Sequence, residues 1–77
     1  IELENAVQLY PNPSSGNLFI NAREAVSKVY VYSIYGRLIR SFNASESINL
    51  SSLPKGNYAT VLELTNGKRK RQMITLK

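Results

Sequence analysis

The chain has 77 residues, a formal net charge of +5, no cysteine and no histidine, and its five acidic residues are all glutamates. A single domain of this size buries about 60 to 65% of the surface of its unfolded chain, and here no disulfide or thiolate site reinforces the small core. The missing residue types exclude a Ser-His-Asp arrangement, a cysteine nucleophile, a His- or Cys-based zinc site and an Asp-rich calcium loop.

Glu2, Glu4, Glu24, Glu46 and Glu63 are scattered along the chain, and their spacing recommends no two-carboxylate acid/base site. The composition therefore points to a domain that is not an enzyme, with no cofactor and no metal. No apolar run approaches the roughly 18 residues of a transmembrane segment, and no signal-peptide-like stretch opens the chain. Because it begins with Ile1 rather than methionine, the chain reads as a piece of a longer precursor.

Ile1 to Asn5 alternates apolar with polar residues, and Val7 and Leu9 continue that period up to Tyr10, which predicts a first strand at a sheet edge. Pro11 and Pro13 then remove two backbone donors and push Tyr10 and Asn12 toward extended geometry, so the chain must leave its sheet and turn. Gly16 permits the positive φ that ends the turn. Leu18 and Ile20 point to one side of a second strand, with Asn17, Phe19 and Asn21 on the other, and Asn21 to Ala25 reads as a loop.

Val26 to Ile34 is the strongest strand, dense in β-branched and aromatic residues, with Val29 and Val31 on one face and Lys28, Tyr30 and Tyr32 on the other. It is expected to be central. Tyr35-Gly36 supplies a turn, and Arg37 to Phe42 returns as the partner strand. Leu38 and Phe42 fall on one parity of that strand and Ile39 on the other; a bulge at Gly36 would settle which is buried. A polar link, Asn43 to Ser47, leads to a short strand at Ile48-Asn49-Leu50.

Leu53-Pro54-Lys55-Gly56 predicts a turn, with proline presetting one position and glycine supplying positive φ at another. Tyr58, Leu62 and Leu64 form the inward side of the next strand, with Thr60 between them and Glu63 facing out. Asn66-Gly67 reads as a two-residue type I′ hairpin. The last strand, Lys68 to Leu76, continues the buried face with Ile74 and Leu76. About seven short strands with no helical period predict an all-β, immunoglobulin-like antiparallel β-sandwich spanning residues 1–77, with a small open barrel as the alternative.

Four segments carry a more particular resemblance: Tyr10-Pro11-Asn12-Pro13-Ser14-Ser15-Gly16-Asn17-Leu18, Val31-Tyr32-Ser33-Ile34-Tyr35-Gly36-Arg37, Leu53-Pro54-Lys55-Gly56-Asn57-Tyr58, and Asn66-Gly67-Lys68 with its basic, apolar-ended tail. Together they closely resemble the type A C-terminal sorting domain of the type IX secretion system. The Tyr-Pro-Asn-Pro segment followed by glycine is the most specific part. On this likeness Pro11, Asn12, Pro13 and Gly16 match the first motif, Gly36 lies in the second segment, and Gly56 and Tyr58 match the Gly-x-Tyr motif. Gly67, Lys68, Lys70, Ile74, Leu76 and Lys77 fall in the C-terminal segment. The Lys-Arg-Lys-Arg cluster lies early in that segment, which is a departure from the family.

The resemblance implies a signal that performs no reaction. Such a domain ends an exported protein of certain Gram-negative bacteria, is read by an outer-membrane translocon with its shuttle protein, and directs the attached N-terminal cargo domain from the periplasm to the cell surface or beyond. A sortase-like cysteine protease then removes it, cutting near or upstream of Ile1. The alternative is a structural or adhesive immunoglobulin- or fibronectin-III-like module of a secreted multidomain protein.

The bland readings sit beside these. Strand alternation sends the neighbours of Lys68 to Arg71 to opposite faces, so the four charges form no phosphate-binding stripe, and a solvated edge strand without a nucleic-acid partner is expected. Tyr30 and Tyr32 read as cross-strand packing, and Tyr58 as a buried corner anchor bonded through its hydroxyl. An exposed first or last strand could pair with another chain to give a dimer.

Overall fold

In the computed structural model, which describes residues 7–21, 25–43 and 47–77, the chain folds into two antiparallel sheets. Strands β1 (Gln8–Tyr10), β2 (Asn17–Asn21) and β5 (Ser47–Asn49) form one, in the order β1-β2-β5. Strands β3 (Val26–Tyr32), β4 (Leu38–Asn43), β6 (Gly56–Leu64) and β7 (Arg69–Leu76) form the other, in the order β4-β3-β6-β7. This is the expected immunoglobulin-like sandwich, with β4 placed beside β3. The Ile1 to Asn5 part of the predicted first strand, residues 22–24 of the predicted loop and residues 44–46 of the polar link lie outside the described residues.

The core follows from period-two alternation, because every second residue of a strand faces the opposite sheet. Val7 and Leu9, Leu18 and Ile20, Val29 and Val31, Ile48 and Leu50, Tyr58, Leu62 and Leu64, and Ile74 and Leu76 are all buried. β3 lies between β4 and β6, which explains its β-branched and aromatic density. Thr60 is fully buried in the same row, and its hydroxyl donates to the Gln72 carbonyl at 2.7 Å.

The structure corrects five local expectations. The Pro-Asn-Pro corner does not send the chain away from its sheet for good: β1 pairs directly with β2, Leu9 opposite Ile20. β3 stops at Tyr32, and the β4 bulge is at Ile39 rather than Gly36, since Tyr32 pairs with Leu38 while Val31 pairs with Arg40. That extra residue resolves the parity conflict, leaving Leu38 on the outer face beside Tyr32 and turning Phe42 to the inner side opposite Val29.

The hydrogen-bonded turn before β6 is Leu50–Leu53, closed by the Leu53 amide donating to the Leu50 carbonyl at 3.0 Å. Leu53 to Gly56 is only an open bend. Asn66-Gly67 makes a three-residue loop: the Gly67 amide donates to the Leu64 carbonyl and the Leu64 amide to the Lys68 carbonyl, with Gly67 at φ 88°. Burial enforces this. Tyr58 pairs with Ile74 and Gly56 with Leu76, whereas a two-residue loop would slip the register by one and turn Ile74 and Leu76 out to solvent.

Candidate functional site

β1 and β7 are end strands of different sheets, yet their free edges are joined along a seam. The Lys70 ammonium donates to the Val7 carbonyl at 2.6 Å. The Gln72 side-chain amide makes both bonds that a backbone would make: its Nε2 donates to the Leu9 carbonyl at 2.9 Å, and its Oε1 accepts from the Leu9 amide at 2.8 Å. Asn12 does the same in the other direction, donating to the Met73 carbonyl and accepting from the Thr75 amide, each at 2.9 Å.

Beyond Pro13 the backbone takes over. The Ser14 amide donates to the Thr75 carbonyl and the Ser14 carbonyl accepts from the Lys77 amide, both at 2.9 Å, which makes a parallel bridge of Ser14 with Leu76. Val7 with Lys70, Leu9 with Gln72 and Asn12 with Thr75 are all 63 residues apart, and Ser14 with Lys77 continues that register. The first and last described segments therefore run parallel, with the side-chain amides of Gln72 and Asn12 making the bonds that backbone groups make at Ser14. Tyr10-Pro11 and Asn12-Pro13 are both cis.

Two further contacts fix the corner. The buried Ser14 hydroxyl donates to the Asn17 carbonyl at 2.7 Å and accepts from the Gly16 amide at 3.1 Å. Gly16, at φ 136°, lies so near the turn after β5 that a Cβ there would stand 2.7 Å from Ser51 Cα, and its carbonyl accepts from the Leu50 amide at 2.7 Å.

The structure brings part of the sequence-predicted set together. Pro11, Asn12, Pro13 and Gly16 line the same end as Ile74, Leu76 and Lys77, and Gly56 and Tyr58 pair with Leu76 and Ile74 there. Gly36 terminates the β3–β4 hairpin at that end too, since Tyr32 pairs with Ala59 near the start of β6. Gly67 and Lys68 lie at the far end of the β6–β7 hairpin, and Lys70 is spent on the seam. Ile74 and Leu76 are core side chains, 1% and 4% exposed, so a partner meeting the folded domain touches their backbone and neighbours instead. Tyr58 is buried, and its hydroxyl donates to the Pro54 carbonyl at 2.5 Å, the corner anchor expected of it.

A family model for secretion system C-terminal sorting domains matches residues 8–76, from the first residue of β1 to the last of β7. The chain belongs to this family of type IX secretion C-terminal sorting domains. No curated protein matches it. Family membership implies an attached cargo, a secretion system and a secreted or cell-surface destination, and sorting domains are generally non-catalytic. No helix among the described residues of this sorting domain is long and apolar enough to cross a membrane. The described residues also hold no group of three or more His, Cys, Asp or Glu side chains placed to bind a metal ion.

Sequence reasoning missed Gln72 and Ser14. A signal for Gln72 was available: it shares the inward parity of Ile74 and Leu76, and an amide continuing a buried row at a sheet edge needs partners there. The outward residues of the sorting domain's basic stretch separate as alternation requires. Arg69 reaches Glu63 at 3.5 Å, and Arg71 stands exposed beside Val61 on the outer face.

Proposed function

We propose that residues 1–77 act as a single, non-catalytic sorting signal, recognised in its folded form. It carries an N-terminally attached cargo through the periplasm and across the outer membrane, where a translocon and its shuttle protein read it. A sortase-like cysteine protease then removes it and the cargo is anchored at the cell surface. The observation that carries this reading is the family match over residues 8–76, which runs from β1 to the end of β7.

In this reading Pro11, Asn12, Pro13, Gly16, Gly56 and Tyr58 act by building the corner and seam, and Ile74 and Leu76 by anchoring β7. Pro11, Asn12, Pro13 and Lys77 are exposed at that end and form the presented surface. Gly36, Gly67, Lys68 and Lys70 set the hairpins and the far end of the seam.

The test is to fuse the 77 residues to the C-terminus of a periplasmic reporter and express it in hosts with and without the type IX machinery. Export is expected only in the competent host. Reporter retained in the periplasm of that host would overturn the proposal.

A further inference from the structure

A two-sheet sandwich has four edges, and an unpaired edge is a row of N–H and C=O groups ready to accept another strand. Here the β1 and β7 edges are bonded to each other through the seam. The β5 edge offers only three residues. The β4 edge offers six, Leu38–Asn43, and among the described residues β4 pairs with β3 alone.

Its side chains define the partner. Arg40 is exposed, with its guanidinium lying back on the Ile39 carbonyl at 3.1 Å, and Arg37 is exposed at the strand's entry. Glu63 is the only acidic residue among the described residues, and it is engaged by Arg69, so the hairpin cations face no carboxylate there. Between them a shallow depression is lined by Tyr35, Leu38 and Ile39, with Tyr35 91% and Leu38 50% exposed. A second copy paired antiparallel on this edge would bring the Arg37 and Arg40 cations of both chains together, which like-charge repulsion disfavours.

We propose that the β4 edge accepts an extended acidic segment of a partner protein as a fifth strand. The segment's backbone pairs with Leu38–Asn43, its carboxylates meet Arg37 and Arg40, and an intervening apolar side chain covers Leu38 and Tyr35. The proposal stands independently of the export reading, because it concerns what the edge binds rather than which machine carries the domain.

The test is NMR titration of the isotope-labelled 77-residue chain with the peptide acetyl-Val-Glu-Val-Glu-Val-Glu-Val-amide. Saturable shifts confined to residues 34–43 are expected, with slowed amide exchange in β4. Replacing both arginines (Arg37→Glu and Arg40→Glu) is expected to weaken binding by about tenfold or more, as is peptide N-methylation, which keeps the charge but removes donors. A lysine-for-glutamate peptide should not bind. An unchanged spectrum, equal affinity for the N-methylated peptide, undiminished binding by the double variant, or shifts centred on another edge would each overturn the proposal. So would concentration-dependent broadening of residues 38–43 without peptide, which would assign the edge to a second copy.

Discussion

Gln72 and Asn12 are polar side chains that behave as pieces of backbone. Leu9 is 2% exposed, so Gln72→Ala leaves its amide and carbonyl without partners in a place water reaches poorly. A loss of about 1–3 kcal/mol is expected, read as a lowered urea midpoint with unchanged slope. An unshifted midpoint would mean that solvent replaces both bonds. Gly16 and Gly67 make a contrasting pair. Both hold positive φ, but only Gly16 faces backbone, with Ser51 Cα 2.7 Å from the position of a Cβ. Gly67→Ala is expected to cost about 1–2 kcal/mol for the left-handed backbone alone, and Gly16→Ala about 3 kcal/mol or more once the forced shift of the Leu50–Leu53 turn is added. Denaturation of the two variants side by side checks the difference, and equal losses would refute the close approach.

At the level of the element, the β6–β7 hairpin separates folding from recognition. Leu76 is core, whereas Lys77 is exposed and bonds Ser14 through its backbone only. Leu76→Ala should cost about 2–5 kcal/mol, and secretion of a fused reporter should fall in step with the folded fraction. Lys77→Ala should leave stability within about 0.5 kcal/mol, so any export defect it causes reports on contact with the machinery. Deleting residues 74–77 confounds the two, because it removes two core side chains together with the Ser14 and Asn12 bonds. The loop of this hairpin was legible in retrospect. Tyr58, Leu62 and Leu64 are even-numbered, as are Ile74 and Leu76, and aligning both sets inward needs an odd number of loop residues. The Asn-Gly pair drew attention to its local turn preference, but the cost of exposing Ile74 and Leu76 outweighs it.

Across the whole molecule, the seam ties the first described strand to the last over a constant separation of 63 residues. Segments joined this way open together. The amides of Leu9, Thr75 and Lys77 are therefore expected to share one opening free energy in native-state hydrogen exchange, and Gln72→Ala should lower all three at once. Faster exchange at Leu9 alone would show that the seam is a set of independent bonds. For a sorting domain this coupling means that the first described strand and the C-terminal tail are not separate modules.

Alternation and turn residues were enough to set the strand number and the two-sheet class, because each is a local property written in neighbouring residues, while the sorting-domain family rested on the resemblance of four motif-bearing segments. The sequence alone also marked Pro11 and Pro13 as a sheet edge, since the lack of a proline donor is independent of context. Only the tertiary structure decided what that edge does. Asn12 and Gln72 look like ordinary surface amides until sandwich packing brings the ends of two sheets within hydrogen-bond reach, and no local rule relates residues 63 positions apart. The bulge at Ile39 has the same origin: Leu38 and Phe42 share a parity in the chain, and only the demand of the core on Phe42 inserts the residue that parts them.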